Sequence, residues 1–343
     1  MKLETLISRI NAEDAFDELG DVLDRSLVQQ MCSLLTELEQ NAWTGPKKMS
    51  LPALNPLSMY LSFLAQSPTT TAFEQSDASE FLHILIDRLN TELLQASMGS
   101  DKSFSFNRGP ESEMSRIFRG FQLGSIQCTQ CSAVSEQIEV PFLELHLHAP
   151  ECRLFAEYFV HRDTGEGSWK MTPPDILDCL DHGFRSQPVV DSQCSSCGSQ
   201  SIKRTCTLLH APPVLVLNLH PASSGVKQGE CSNIILRESI DISPFCVDAG
   251  GVYSLVGVVV HQGKLATSGH YSCYSKRSDG WRFYNDAHGK SISTTQEVLE
   301  TIGKQIKSAQ PSLAVFERVA VGVTNGTPLY QPLAPREVQP SPS

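Results

Sequence analysis

An α+β fold, helical first and β-rich after, is what this sequence predicts, and three observations carry the expectation. Apolar residues recur at helical spacing as far as about Leu94 and alternate with polar ones from about Phe118. Two Cys-x-x-Cys pairs, Cys128/Cys131 and Cys194/Cys197, stand in the β-rich part. Near the C-terminal end, Ser268-Gly269-His270-Tyr271 is followed by Trp281-Arg282-Phe283-Tyr284-Asn285-Asp286, so that a histidine and a carboxylate share one expected hairpin.

Element by element, residues 1 to about 40 read as helix, because Leu3, Leu6, Ile7 and Ile10, then Leu27, Met31, Leu34, Leu35 and Leu38, keep one apolar stripe; Gly20 marks a break. Pro46, Pro52 and Pro56 make the next stretch irregular. Ser76 or Asp77 is the expected N-cap of a helix running to about Leu94, with Glu80 three residues after Asp77 as in a capping box. Residues 98 to 112 read as a polar linker. Strands are expected from Phe118 to Ile126, along Glu136 to His148, at Ile202 to Leu209, Val214 to Leu219, Ile240 to Ile242, Tyr253 to His261 and Leu313 to Phe316. A helix from Asp175 to Phe184 interrupts them. Residues 221 to 233 read as a loop, and the Pro-rich tail from 321 to 343 as disordered.

Composition bounds the function. At 40% hydrophobic and 19% charged over 343 residues, the chain has ample material for a buried core. No apolar run reaches the roughly eighteen residues of a membrane helix, and the N-terminus lacks a signal-peptide core, so an intracellular place, cytoplasm or nucleus, is expected. A net charge of −11 speaks against nucleic acid and anionic membranes as partners and suits a basic protein. Eleven cysteines is an odd number and does not suggest a disulfide framework.

The chemistry lies in two constellations. Each Cys-x-x-Cys presents two sulfurs on a tight knuckle, and four thiolates would close a tetrahedral shell around Zn2+ in a structural role, joining two hairpins distant in sequence. Gly198, directly after the second pair, suits such a knuckle. In the other constellation, the Asp279-Gly280 turn brings Asp286 back beside His270, and a base with a carboxylate to fix its tautomer is two thirds of a nucleophilic triad. His146 and His148 share one strand face and read as a surface pair; His220 reads as structural, and His261 as a buried hydrogen-bond partner.

The order of these motifs resembles the catalytic domain of the ubiquitin-specific proteases, the papain-like cysteine deubiquitinases. Gln75-Ser76-Asp77-Ala78-Ser79-Glu80-Phe81-Leu82 is similar to that family's Q-Q-D-A-x-E-F-L helix start. Phe121 to Cys131 with Phe142-Leu143-Glu144-Leu145, Ile176 to Leu180, Cys194 to Cys197, Ala211 to Leu217, Val258 to Asp286 and Ser312 to Arg318 follow in the family's order, over about residues 25 to 320. The resemblance implies a papain-like fold with a helical thumb over residues 1 to 110, then a β palm and zinc-ribbon fingers over 111 to 320. It implies His270 as general base, Asp286 as its orienting group, and Gln75 and Asp77 as contacts for ubiquitin's tail. Cys128, Cys131, Cys194 and Cys197 match the zinc site of the fingers, which grip ubiquitin's globular body. The partner implied is ubiquitin or a ubiquitinated protein, and the reaction is thiol-dependent hydrolysis of ubiquitin conjugates.

The sequence departs from the family at the nucleophile. The family's G-N-T-C-Y-x-N-S box has no counterpart in residues 1 to 74, and Cys32, the only cysteine before Cys128, sits mid-helix without the Gly-Asn turn. The expectation is therefore an N-terminally incomplete domain that does not hydrolyse conjugates as written and is less stable for lacking that segment. The alternative is a scaffold that binds ubiquitin or another partner without catalysis.

Overall fold

The structure, a computed structural model, describes residues 26–40, 56–66, 77–97, 112–150, 156–160, 167–171, 173–189, 192–220, 234–247, 250–265, 268–286, 288–304 and 309–319. Gln75, the N-terminal helical stretch before residue 26, the loop at 221–233 and the tail from 320 lie outside them, as does nearly all of the expected 98–112 linker.

Four helices open the fold: α1 Leu27–Gln40, α2 Leu57–Gln66, α3 Ala78–Ser97 and the short α4 Glu113–Phe118. The stretch after Pro56 is helical, where irregular chain was expected. Pro56 stands just before the first helical residue, where a missing N–H is harmless, and its carbonyl accepts the first turn's bond from Tyr60 at 2.9 Å. Leu27 and Phe63 are fully buried against Leu85 and Leu89, so the helices hold a small core of their own. The Glu92 carboxylate of α3 accepts from the Leu27 and Val28 N–H groups at 2.9 Å each and so caps α1. Ser112, placed in the linker from sequence, is instead the N-cap of α4, its hydroxyl accepting from the Ser115 N–H at 3.2 Å.

The β part is two sheets. Strands β1 Gly120–Cys128, β2 Val134–Phe142, β6 Gln187–Val189 and β7 Ile202–His210 form one, in the order β2-β1-β7-β6. The larger sheet runs β13-β12-β11-β10-β14-β8-β3, from β3 Leu145–His148, β8 Val214–His220, β10 Val252–Leu265, β11 Ser268–Arg277, β12 Gly280–Asn285, β13 His288–Ile292 and β14 Gln310–Arg318, with β9 Ser239–Asp241 paired to β10. A separate hairpin pairs β4 Ala156–Val160 with β5 Gly167–Met171. The single alternating run expected over 136–148 is divided at Leu143-Glu144, where the chain leaves one sheet and enters the other.

Strand β8 is buried on both faces, as its continuous apolar run requires: Val216 is buried on one face, and on the other Leu215 and Leu217 are fully buried. With Tyr253, Leu255, Phe316 and Trp281, Leu215 and Leu217 form the main core, which α5 Ile176–Phe184 closes with Ile176, Cys179 and Leu180 and α6 Thr295–Lys304 with Val298 and Ile302. Asp175 caps α5 in a full capping box with Asp178. α6, β13 and the β4–β5 hairpin were not foreseen.

Candidate functional site

The hairpin β11–β12 carries His270. Its strands pair Cys273 with Tyr284 and Tyr274 with Phe283 around the turn at Ser278-Asp279, and Tyr274 and Trp281 root it in the core. Paired residues share a face and faces alternate, so Tyr274, Ser272 and His270 face the same way as Phe283 and Asn285. Asn285 is the partner that this register delivers. Its Oδ1 lies 2.5 Å from His270 Nε2, and because a carboxamide oxygen only accepts, Nε2–H is the donor of this bond.

The sequence reading chose Asp286 for this role, and the geometry favours its neighbour. Asp286 lies one residue beyond the strand at φ 52°, in the turn into β13. Its carboxylate is 3.8 Å from His270 Nε2 and its side chain is 77% exposed. The parity of the hairpin register was the signal in the sequence that separates the two.

Asp77 lies at the other side of the site. It is the N-cap of α3: its Oδ1 accepts from the Ser79 N–H at 2.8 Å and the Glu80 N–H at 3.4 Å. The Tyr271 hydroxyl hydrogen-bonds the Asp77 carboxylate and the Ala78 backbone, and burial, then the Asp77 charge, push its pKa up. The start of α3 therefore touches the residue next to His270. The His261 ring packs against Tyr271, tilted by 43° with centroids 4.7 Å apart, and Gly269 packs so closely that a Cβ there would stand 2.2 Å from His261 Nε2. Only glycine fits.

Among the described residues no cysteine sulfur hydrogen-bonds His270. Cys32 is exposed on α1, and Cys273, half-buried on β11, has its pKa raised by burial, the reverse of an activated thiol.

A cleft of about 590 Å³ runs between α3, α4 and the β1–β2 hairpin. His83, Ile86, Asp87 and Asn90 of α3 face Arg119, Phe121, Glu139 and Phe142 across it, and none of its lining comes from β11 or β12.

The four cysteines meet at the far end of the smaller sheet. The two knuckles repeat one another: Cys128 O accepts from the Ser132 N–H at 3.0 Å and Cys194 O from the Gly198 N–H at 2.8 Å, with Ser132 and Gly198 both left-handed at φ 61° and 71°. The sulfurs of Cys128 and Cys197 are 3.7 Å apart, those of Cys131 and Cys194 3.6 Å, and all four lie within 4.8 Å of one another. Tetrahedral zinc–thiolate bonds of about 2.3 Å place sulfurs about 3.8 Å apart, so the cluster fits such an ion. The Ser196 and Cys197 N–H groups hold the Cys194 thiol down to about 6, and the Cys131 N–H group lowers Cys128.

The class defined by these features is an α+β domain that pairs an oriented histidine with a four-cysteine cluster able to hold a metal ion. A family model described as ubiquitin carboxyl-terminal hydrolase matches residues 3–314, and the chain belongs to that family, as a ubiquitin-specific-protease-type member. Ubiquitin carboxyl-terminal hydrolase 44 of Ailuropoda melanoleuca is 27% identical, over 78% of this chain and 40% of its own length. Ubiquitin carboxyl-terminal hydrolase 3 of Mus musculus is 24% identical, over 81% and 55%, and ubiquitin carboxyl-terminal hydrolase 23 of Arabidopsis thaliana 27% identical, over 64% and 24%. The chain thus spans about a quarter to a half of these relatives. Among solved structures, Ubp8 in the SAGA DUB module bound to monoubiquitin matches with a TM-score of 0.56 and 21% identity, over 78% of this chain and 53% of that one. The same module bound to ubiquitin aldehyde matches with a TM-score of 0.58 and 21% identity, over 88% and 68%. These neighbours establish the α+β papain-like fold. Among the described residues no helix is long and apolar enough to cross a membrane.

Proposed function

We propose that this chain is the ubiquitin-binding, base-bearing part of a deubiquitinase catalytic domain, with a thumb in residues 1–110 and palm and fingers in 111–320. Its substrate class is ubiquitin joined to protein, and its place of work the cytoplasm or nucleus. His270 acts as general base toward a thiol on its Nδ1 side, and Asn285 holds the ring with Nε2–H pointing away from that thiol. Asp286, in the second rank, adds negative charge near the ring. Asp77 and Gln75 receive ubiquitin's C-terminal tail at the start of α3. The cleft along α3 accepts the residues before it, with Asp87 and Glu139 as acceptors for basic side chains. The four cysteines hold Zn2+, whose role is to lock the two knuckles together and keep the fingers' sheet in shape.

The observation that carries this reading is the 2.5 Å bond from His270 to Asn285, at the C-terminal end of a motif series in family order. Because no described thiol reaches His270, the chain as given binds ubiquitin without cleaving conjugates. Two measurements test this together. Titration with ubiquitin should show binding in the micromolar range. Incubation with ubiquitin carrying a C-terminal thiol-reactive group should leave the intact mass unchanged. No binding at high micromolar ubiquitin would remove the proposal, and a covalent adduct lost in Cys32→Ala would replace it with a live enzyme using a relocated nucleophile.

A further inference from the structure

Three histidines at the edge of the larger sheet are unused by the proposed chemistry. The parallel pairing of β3 with β8 sets His148 opposite His220 and His146 opposite Asn218. His148 stacks on His220 with centroids 4.7 Å apart and planes 19° from parallel. His146 meets His220 differently: the planes differ by 12° and the centroids are 5.2 Å apart, yet His146 Nδ1 lies 3.0 Å from His220 Nε2. Those values describe rings lying edge to edge, with two nitrogens aimed at one another. A metal ion on that line would need about 4 Å between them, from two bonds of about 2.0–2.1 Å. The gap fits a shared proton.

The chain of contacts continues inward. His146 Nε2 is 3.3 Å from Glu144 Oε1, and Glu144 is nearly buried. Both Glu144 oxygens accept from the Ser79 hydroxyl, at 2.7 and 2.8 Å, and Ser79 Oγ in turn accepts from Asn218 Nδ2 at 2.6 Å. Ser79 is in the first turn of α3, two residues after the cap Asp77. With both rings neutral, one arrangement satisfies every group: His220 Nε2–H donates to His146 Nδ1, and His146 Nε2–H donates to Glu144.

We propose that His220, His146 and Glu144 form a proton-operated latch that docks the start of α3 on the palm sheet while the imidazoles are neutral and loosens it when one proton is taken up. The vacant nitrogen for that proton is His220 Nδ1. Once charged, the pair passes the extra proton along the 3.0 Å bond, and a cationic His146 closes on Glu144 from 3.3 Å, in competition with Ser79. The charged and titratable groups facing the pair are Glu144 and His148 on the palm side and Asp77 on α3; the new cation also pulls on Asp77, which caps the helix and bonds Tyr271. Burial, then His148 and His146, hold the His220 pKa below the ordinary value, against Asp77 and Glu144. The sign follows: a histidine lowered in the folded state contributes stability above its unfolded value of about 6.5, and that contribution is lost as pH falls through the histidine range.

The test is amide hydrogen exchange of Ser79 and Glu80, corrected for intrinsic rates, at about pH 8 and about pH 5.5. Protection should fall about tenfold in the native chain and stay constant in His220→Gln, whose amide still donates to His146 but does not titrate. Equal protection at the two pH values, or the same loss in His220→Gln, would overturn the latch. If His220→Gln does not fold, NMR of the native chain decides: the imidazole signals of His146 and His220 and the amide of Ser79 must move with one midpoint, and a Ser79 amide that stays still refutes the proposal. The consequence for the cleft rests on the proposed function, with ubiquitin binding about tenfold weaker at the acidic pH. Absence of ubiquitin binding at both pH values would count against that function alone, because the exchange readout contains no ubiquitin.

Discussion

Replacing Ser79 with alanine should destabilise the chain by about 2–4 kcal/mol, a large effect for one oxygen atom. Ser79 is 5% exposed. Its hydroxyl donates to a nearly buried carboxylate, an interaction of about 1.5–3 kcal/mol, and accepts from the Asn218 amide, one of about 0.5–1.5 kcal/mol. Alanine leaves Glu144 short of a donor and Asn218 short of an acceptor, and at a site this closed little water can replace them. Against a total stability on the order of 5–15 kcal/mol the loss is readily measured. The assay is urea unfolding of the native chain, Ser79→Ala, Asn218→Leu and the double variant, with the midpoint moving and the slope unchanged. Because the two side chains share one hydrogen bond, the double variant should cost at least about 0.5 kcal/mol less than the sum of the singles. A single-variant cost below about 0.5 kcal/mol, or additivity, would mean that Ser79 does not hold the helix to the sheet.

Four further outcomes are expected. The folded chain should carry about one zinc per molecule by elemental analysis, lost in Cys194→Ser; a zinc-free chain with an intact finger sheet would refute the metal reading. Asn285→Ala should abolish the slowly exchanging Nε2–H signal of His270 in NMR, whereas Asp286→Ala should leave it, because only Asn285 is at hydrogen-bonding distance. Cys179, whose thiol burial and then Asp178 push up to about 12, should be silent to thiol reagents at about pH 8, where only about one part in ten thousand would be thiolate. Exposed Cys32 should react at once. Gly269→Ala should cost about 1–3 kcal/mol and loosen the β10–β11 hairpin, since the new methyl group would meet His261 Nε2 at 2.2 Å and the Gln262 carbonyl at 2.6 Å; an unchanged melting temperature would contradict it.

What was legible in the sequence depended on whether the signal was local. The helix after Asp77 was readable because a cap and an apolar stripe are both written within one segment, and strand β8 because a run apolar on both faces has few other homes. The meeting of the four cysteines was readable from their spacing, although 62 residues separate the pairs. Pro56 misled because a proline breaks a helix only in its interior, and just ahead of the first helical residue its missing N–H is harmless. The choice between Asn285 and Asp286 turned on strand register, which the turn at Ser278-Asp279 sets and which motif reading alone does not count. The histidine chain was invisible for a different reason. His146 and His220 are 74 residues apart in sequence and meet only through a parallel strand pairing.

His270 and the start of α3 are held by separate means. His270 and Asn285 take their geometry from β11 and β12, whose register is fixed by the buried Tyr274 and Trp281 and by pairing with β10, itself buried at Val258 and Val260. No part of that frame belongs to α3; the helical support it has comes from α6, whose Thr295 hydroxyl accepts from the Trp281 indole N–H at 3.1 Å. The start of α3 reaches it through polar contacts, Asp77 to Tyr271 and Ser79 to Glu144 and Asn218. A perturbation of the helix therefore changes what meets the imidazole before it changes the imidazole itself. The Asn285 contact to Nε2 is made within β11 and β12, so the orientation of His270 and the access to it should respond to different substitutions. Ser79→Ala should weaken ubiquitin binding and leave the His270 Nε2–H signal in place, and loss of that signal in Ser79→Ala would show that the two are one unit.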